Sequence, residues 1–148
     1  MSLYPIVLHL HSVLRYVVLA LLLWSIMISM KRFLNPGISG PFSLKIPLFT
    51  LIAFHTQFLI GLLMYILSPK VLFSSVTMHV DMYRFFTMEH SVMMLLSVIL
   101  ITLGYSLAKR NAKGAGYRQI FIYNTIALII VLVAIPWPFR HTLGSAWF

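Results

Sequence analysis

Four long apolar runs alternate with short polar segments along this chain. No Asp, Glu, Lys or Arg occurs between Arg15 and Lys31, between Lys45 and Lys70, between Glu89 and Lys109, or between Arg118 and Arg140. A helix needs about 20 mostly apolar residues to cross the hydrocarbon core of a bilayer. The first run reaches this length only if its helix extends back through Arg15 and His11 to about Pro5. We therefore predict a single all-α domain over residues 1–148, a bundle of four transmembrane helices at residues 5–29, 46–67, 86–108 and 119–137.

The composition also indicates a membrane protein. Of the 148 residues, 61% are hydrophobic and 9% are charged, whereas a soluble domain carries about a quarter charged residues. The formal charge of +9 comes from basic residues in short loops beside the apolar runs, which favours contact with anionic lipids and excludes a nucleic-acid partner. The chain has no cysteine, so disulfides, thiolate metal sites and haem thioether links are excluded.

The basic residues predict the orientation. Most of them fall in the first and third loops, as Lys31, Arg32, Lys45, Lys109, Arg110, Lys113 and Arg118. The positive-inside rule places these two loops in the cytoplasm and both termini outside. The connection between the second and third helices, residues 68–85, mixes apolar and polar residues. We predict that it forms a short amphipathic segment on the outer membrane surface.

Five polar side chains of the predicted spans are candidate functional residues, namely His11, Arg15, His55, Glu89 and His90. A charge at the bilayer centre costs about 2.5–3.5 kcal/mol, so such residues usually have a function. At 1.5 Å of rise per residue, His11 and His90 both lie about 9 Å from the outer end of their helices, and His55 about 18 Å. His11 and Arg15 are four residues apart and share one helix face.

A b-type haem suits this set of residues. Its iron takes two axial imidazoles from facing helices, for which His11 and His90 are the best-matched pair and His55 is a further candidate. Arg15 is placed to neutralise a haem propionate. Gly61 and Gly104 are positions where a flat ligand or a neighbouring helix can come close. A copper or zinc site built from His11, His55, His90 and Glu89 is an alternative.

A second alternative needs no cofactor. The histidines would then make only interhelical hydrogen bonds, each worth about 1 kcal/mol in a membrane, and the protein would be an accessory subunit of a larger membrane complex. Gln57 and Asn124 are predicted to be packing contacts of this kind. No arrangement of nucleophile, base and acid can be assembled from the residues, so whether the protein is an enzyme stays open.

Several segments carry a family resemblance: Leu10–Tyr16 (LHSVLRY), Phe54–Gln57 (FHTQ) with Gly61, Arg84–His90 (RFFTMEH), and Ile135–Arg140 (IPWPFR) followed by Trp147–Phe148. Over nearly its whole length the chain resembles a family of small four-helix membrane proteins of Bacteroidetes-type bacteria, often labelled "cytochrome b". The resemblance implies a location in the bacterial inner membrane and haem ligands among His11, His55 and His90. It also implies electron exchange near the outer face, with a quinone or a redox partner subunit.

One departure from better-known cytochromes b bears on the number of haems. Those proteins carry pairs of histidines about two turns or more apart on one helix, which bracket two haems. No predicted helix of this chain carries two deep histidines. We therefore expect one cofactor near the outer side.

Overall fold

A computed structural model describes residues 3–35, 37, 42–111 and 116–143 of the chain. Four of its helices are long and apolar enough to cross a membrane: α1 (Leu3–Leu34), α2 (Lys45–Leu67), α3 (Asp81–Arg110) and α4 (Gly116–Ala134). The predicted all-α bundle of four spans is therefore confirmed. The parts of the predicted loops and tail at residues 36, 38–41, 112–115 and 144–148 lie outside the described residues.

Several helix boundaries differ from the predicted spans, and three of them coincide with a local feature. Helix α1 continues through Lys31 and Arg32, because basic side chains are favourable beside the negative end of the helix dipole. Helix α3 begins early, at Asp81, and contains a π-helical turn over Phe85–Glu89. Helix α4 ends at Ala134, since the residue before a proline is disfavoured in helical conformation and Pro136 follows shortly.

The four helices form a ring. Helix α1 packs against α2 and α4, and α3 packs closely against α4 but more sparsely against α2. We call the end that carries the α2–α3 connection the outer end, after the predicted orientation, which stays a prediction. The core side chains are Val18, Leu22, Phe54, Val98, Ile101, Ala127, Val131 and Ile135. Large apolar side chains such as Leu59, Ile129 and Val133 are more than half exposed, as a lipid-facing surface requires.

Small and polar residues bring the helices together. A Cβ added at Gly104 on α3 would lie 2.7 Å from the Cβ of Tyr123 on α4, so the absence of a side chain lets these two helices approach. Between α4 and α1, the buried Asn124 Nδ2 donates to Ser25 Oγ at 3.0 Å. Asn124 therefore makes an interhelical packing contact, in agreement with the prediction from sequence.

Replacing Asn124 with alanine should lower the free energy of unfolding by about 1 kcal/mol, the usual size of an interhelical hydrogen bond in a membrane. Reversible unfolding by SDS in mixed micelles measures this change. Asn111→Ala is the control, because Asn111 binds Leu107 and Gln119 at an exposed helix end and its loss should cost less than about 0.5 kcal/mol. Equal losses in the two variants would contradict the packing role of Asn124.

The outer connection contains a short 3-10 helix, Ser75–Met78, which Ser74 and Thr77 close with a capping box. The Thr77 side chain is buried, while Phe73, Val76 and Met78 are exposed. Exposed apolar residues on a short helix between two membrane spans suit the predicted amphipathic surface segment.

Two cations tie this outer end to the segment after α4. The Lys70 ammonium donates to the Leu143 carbonyl at 3.3 Å and lies 5.0 Å from the centre of the Phe86 ring. Partial burial lowers the pKa of Lys70 below its usual value. Arg140 lies over the Phe85 ring at 4.6 Å. The residues after α4 thus pack over the start of α3.

Candidate functional site

A cavity of about 430 Å³ lies in the outer half of the bundle, between α1, α2, α3 and the end of α4. Its walls are mainly apolar, and its polar lining residues are Ser12, Thr87, Ser91, Tyr65, His11, Arg15, Gln57 and His90. Ligand sites in proteins commonly enclose about 300–1,000 Å³ and combine apolar walls with a few polar groups. The cavity therefore has the size and lining of a ligand site.

His11 enters the cavity from α1 and is held against α2. Gln57 Nε2 donates to the His11 backbone oxygen at 2.9 Å. A Cβ added at Gly61 would lie 3.2 Å from His11 Cε1, so this glycine makes room for the ring. His11 Nδ1 and Gln57 Oε1 are buried without a hydrogen-bond partner in the described part of the chain. Buried polar atoms are nearly always paired, so a bound molecule would account for both.

His90 enters the cavity from α3 with its ring fixed in one orientation. Its Nδ1 lies 2.7 Å from the Ala134 carbonyl oxygen at the end of α4. Because a carbonyl oxygen only accepts, Nδ1 carries the hydrogen and Nε2 of the neutral ring keeps a lone pair. Histidines that ligate metals are commonly held in this way, with the non-ligating nitrogen bonded to a backbone carbonyl.

Two prolines make the Ala134 carbonyl available to His90. In an α-helix each carbonyl accepts from the N–H four residues ahead, but Pro136 and Pro138 have no N–H. The carbonyls of Leu132 and Ala134 therefore lose their regular donors. The Trp137 indole N–H donates to Leu132 at 2.8 Å, and His90 donates to Ala134. The Pro-Trp-Pro segment thus creates the acceptor that orients His90.

Arg15 lies one turn from His11 on α1 and lines the same cavity. Its Nη2 donates to the Tyr16 hydroxyl at 3.2 Å, and its guanidinium lies 4.9 Å from the centre of that ring. The shared helix face predicted for His11 and Arg15 is thus observed. A cation in the wall of an apolar cavity favours a ligand that carries a negative group.

Two of the five candidate residues lie away from the cavity. His55 is exposed on α2, and its Nδ1 binds the Leu51 carbonyl of the same helix at 2.8 Å. Its neighbours Phe54 and Gln57 line the cavity, and successive side chains are about 100° apart around a helix. Glu89 is 40% exposed and binds Arg84 Nε at 2.8 Å. The structure therefore places His55 apart from His11 and His90, which both line the cavity.

The described residues include no group of three or more His, Asp or Glu side chains placed to hold a metal ion. A copper or zinc site of His11, His55, His90 and Glu89 consequently has no support. What the cavity does bring together is one pair of imidazoles, from α1 and α3. Two imidazoles suffice for a haem iron, because the porphyrin supplies the remaining ligands.

Compared with family models, with curated proteins and with solved structures, the chain matches none. The resemblance to the four-helix bacterial family therefore depends on the sequence segments quoted above. It is the geometry of the cavity that provides independent support for a function.

Proposed function

We propose that this protein binds one b-type haem in the outer half of a bacterial inner membrane and passes electrons there. The observation that carries the proposal is the joint presence of His11, His90 and Arg15 in the wall of one cavity. These residues come from two helices that are distant in sequence. When bound, the haem supplies one-electron chemistry, with a potential that depends on its axial ligands and surroundings.

Three residues of the cavity, His90, His11 and Arg15, have defined tasks in this proposal. His90 offers Nε2 to the iron while Ala134 holds its Nδ1–H. His11, from α1, would be the second imidazole to hold the haem, and the space beside Gly61 accommodates its ring. Arg15 binds a propionate through charge-assisted hydrogen bonds. The apolar walls exclude water from the iron and so favour outer-sphere electron transfer over reactions with small ligands.

The membrane position defines which electron carriers can reach this site. A haem near the outer face exchanges electrons with a quinone dissolved in the bilayer or with a redox partner subunit. His55 is exposed on α2 and does not line the cavity, so this proposal gives it no part in haem ligation. This separates it from the axial pair, although the resemblance implies it as a ligand candidate.

The absorbance spectrum of protein purified from haem-replete cells tests the proposal. We expect a Soret band and, after reduction, the sharp α and β bands of a haem with two imidazole ligands. His11→Ala should lose these bands because it removes one axial ligand. His55→Ala is the matched control and should retain them, since its side chain lies outside the cavity. A colourless preparation without iron would overturn the proposal.

The alternative function, a cofactor-free accessory subunit of a larger complex, is favoured by one observation. The His90–Ala134 bond ties α3 to the end of α4 and would be useful to the fold without any haem. Under this alternative the protein co-purifies with a larger membrane complex and its spectrum does not change when haem is added. Elemental analysis of the same sample separates iron from copper and zinc.

A further inference from the structure

The start of α3 is wound as a π-helix immediately before His90. Over Phe85–Glu89 the hydrogen bonds span five residues, and the His90 N–H donates to the Phe85 carbonyl. π-Helical turns are rare and occur frequently at functional sites. Thr87, inside this turn, and His90, directly after it, are each bonded to a different element of the fold.

The π turn determines the direction in which His90 points. Five residues wound as a regular α-helix advance by about 140° beyond a full turn, with each residue contributing about 100°. A π turn needs more residues for each rotation, so His90 stands nearly above Phe85. Rewinding the same residues as α-helix would rotate His90 away from the Ala134 carbonyl, or move Thr87 away from its own contacts.

Thr87 is fixed by two contacts that resist such a rotation. The Tyr65 hydroxyl of α2 donates to the Thr87 carbonyl at 2.8 Å. The Leu72 N–H of the outer connection donates to Thr87 Oγ1 at 3.1 Å, and the Thr87 side chain is buried. Because Thr87 is anchored inside the turn, a change of winding would be taken up by the residues after it, including His90.

An ion pair spans the π turn from end to end. Arg84 Nε lies 2.8 Å from Glu89 Oε1, five residues ahead. In an α-helix, side chains interact at spacings of three and four residues, and residues five apart point in different directions. The Arg84–Glu89 pair therefore matches the π winding. Arg84 also binds Asp81 at 3.0 Å, with the spacing of three that a regular α-helix provides.

We propose that the Arg84–Glu89 ion pair holds the π turn and thereby positions the His90 imidazole on the Ala134 carbonyl and toward the cavity. Glu89 is then a positioning residue that acts through His90 and does not touch a ligand. This gives the second acidic residue of the chain a task that neither haem ligation nor a metal site assigns to it. The positioning of His90 by the ion pair does not depend on haem. Only the expected effect on a haem reduction potential rests on the proposed function.

Imidazole ¹⁵N NMR of histidine-labelled, haem-free protein in nanodiscs tests the proposal. The His90 signals are assigned by their loss in His90→Gln, and the shift of Nδ1 reports whether it carries a bonded hydrogen. In Glu89→Gln we expect fewer His90 rings to be hydrogen-bonded to the Ala134 carbonyl. The ratio of bonded to unbonded rings should fall about three-fold, an effect that a partly exposed ion pair can produce. Asp81→Asn is the matched control, because it removes the other partner of Arg84. The Arg84–Glu89 pair across the π turn stays intact in this variant. Its His90 signals should stay as in the unmodified protein.

A deletion variant distinguishes an effect of Glu89 through the π turn from a general disturbance of the fold. Removing Met88, which is 43% exposed, shortens the Arg84–Glu89 spacing to four residues, which an α-helix accommodates. In that background Glu89→Gln should leave the His90 signals unchanged, because no π turn remains to be held. Equal effects of Glu89→Gln and Asp81→Asn, or a full effect of Glu89→Gln in the deletion background, would overturn the proposal.

The same variants in haem-containing protein separate this proposal from the function. If the protein binds haem, Glu89→Gln should shift the reduction potential or broaden the axial-ligand signature, and Asp81→Asn should not. If the protein binds no haem, the proposed function fails, but the NMR comparison still decides whether Glu89 positions His90.

Discussion

Replacing His90 with alanine is expected to lower the free energy of unfolding of the haem-free bundle by about 1–3 kcal/mol. The Ala134 carbonyl already lacks its helical donor, because Pro138 has no N–H. Without His90 it would lose its observed side-chain donor as well. A backbone carbonyl left unpaired in hydrocarbon is more costly than one that can turn to water.

SDS unfolding monitored by circular dichroism measures this loss, with His55→Ala as the control. The His55 ring is exposed and binds only the Leu51 carbonyl of its own helix, so its removal should change the stability by less than about 0.5 kcal/mol. His90→Asn separates the two tasks of His90. Its amide can donate to Ala134 and restore part of the stability, but it cannot replace an imidazole as a haem ligand. Similar stabilities of His90→Ala and His55→Ala would show that the Ala134 bond contributes nothing.

Replacing Gly104 with alanine should destabilise the bundle by about 1–3 kcal/mol, the usual cost of overpacking a tight interface. The added Cβ would lie 2.7 Å from the Cβ of Tyr123 and 3.7 Å from the Gln119 carbonyl oxygen. A Cβ atom is fixed to the backbone, so relief requires α3 and α4 to move apart. Their separation would also disturb Val98, Ile101 and Ala127 of the core.

Gly61→Ala is the matched control for Gly104→Ala, since it adds the same methyl group to a glycine in a helix of the same bundle. Its Cβ would lie 3.2 Å from His11 Cε1, and a side-chain ring can shift by a few tenths of an ångström. We expect a smaller loss of stability than in Gly104→Ala, together with altered His11 signals or an altered haem spectrum. If Gly61→Ala is the more destabilising of the two, the assignment of Gly104 as the tight contact is wrong.

Several features of the candidate site could be predicted from the sequence because they depend on spacing within one helix. His11 and Arg15 are four residues apart and line the cavity together, as a period of 3.6 residues requires. The similar depths estimated for His11 and His90 agree with their meeting in one cavity. Gly104 indeed marks a close helix contact, whereas Gly61 makes room for His11.

The π turn of α3 and the acceptor for His90 were not predicted. Arg84 and Glu89 are five residues apart, whereas side chains pair in a regular α-helix at spacings of three or four. A π turn has no reliable signature in a single sequence. The Ala134 acceptor did leave a signal, since Pro136 and Pro138 each remove the donor of a carbonyl four residues earlier. The prolines indicate that the Ala134 carbonyl lacks a backbone donor, but they do not indicate which side chain donates to it.

The approximate positions of the four membrane spans follow from the sequence alone, because an apolar run of about 20 residues with at most one charge has no other stable place than the hydrocarbon core. The intramembrane polar residues were also evident there. Which of them meet was decided by the tertiary structure, because the rotation of each helix about its axis depends on packing with its neighbours. That rotation turns Gln57 toward the cavity and His55 toward lipid, and the π turn gives His90 its direction.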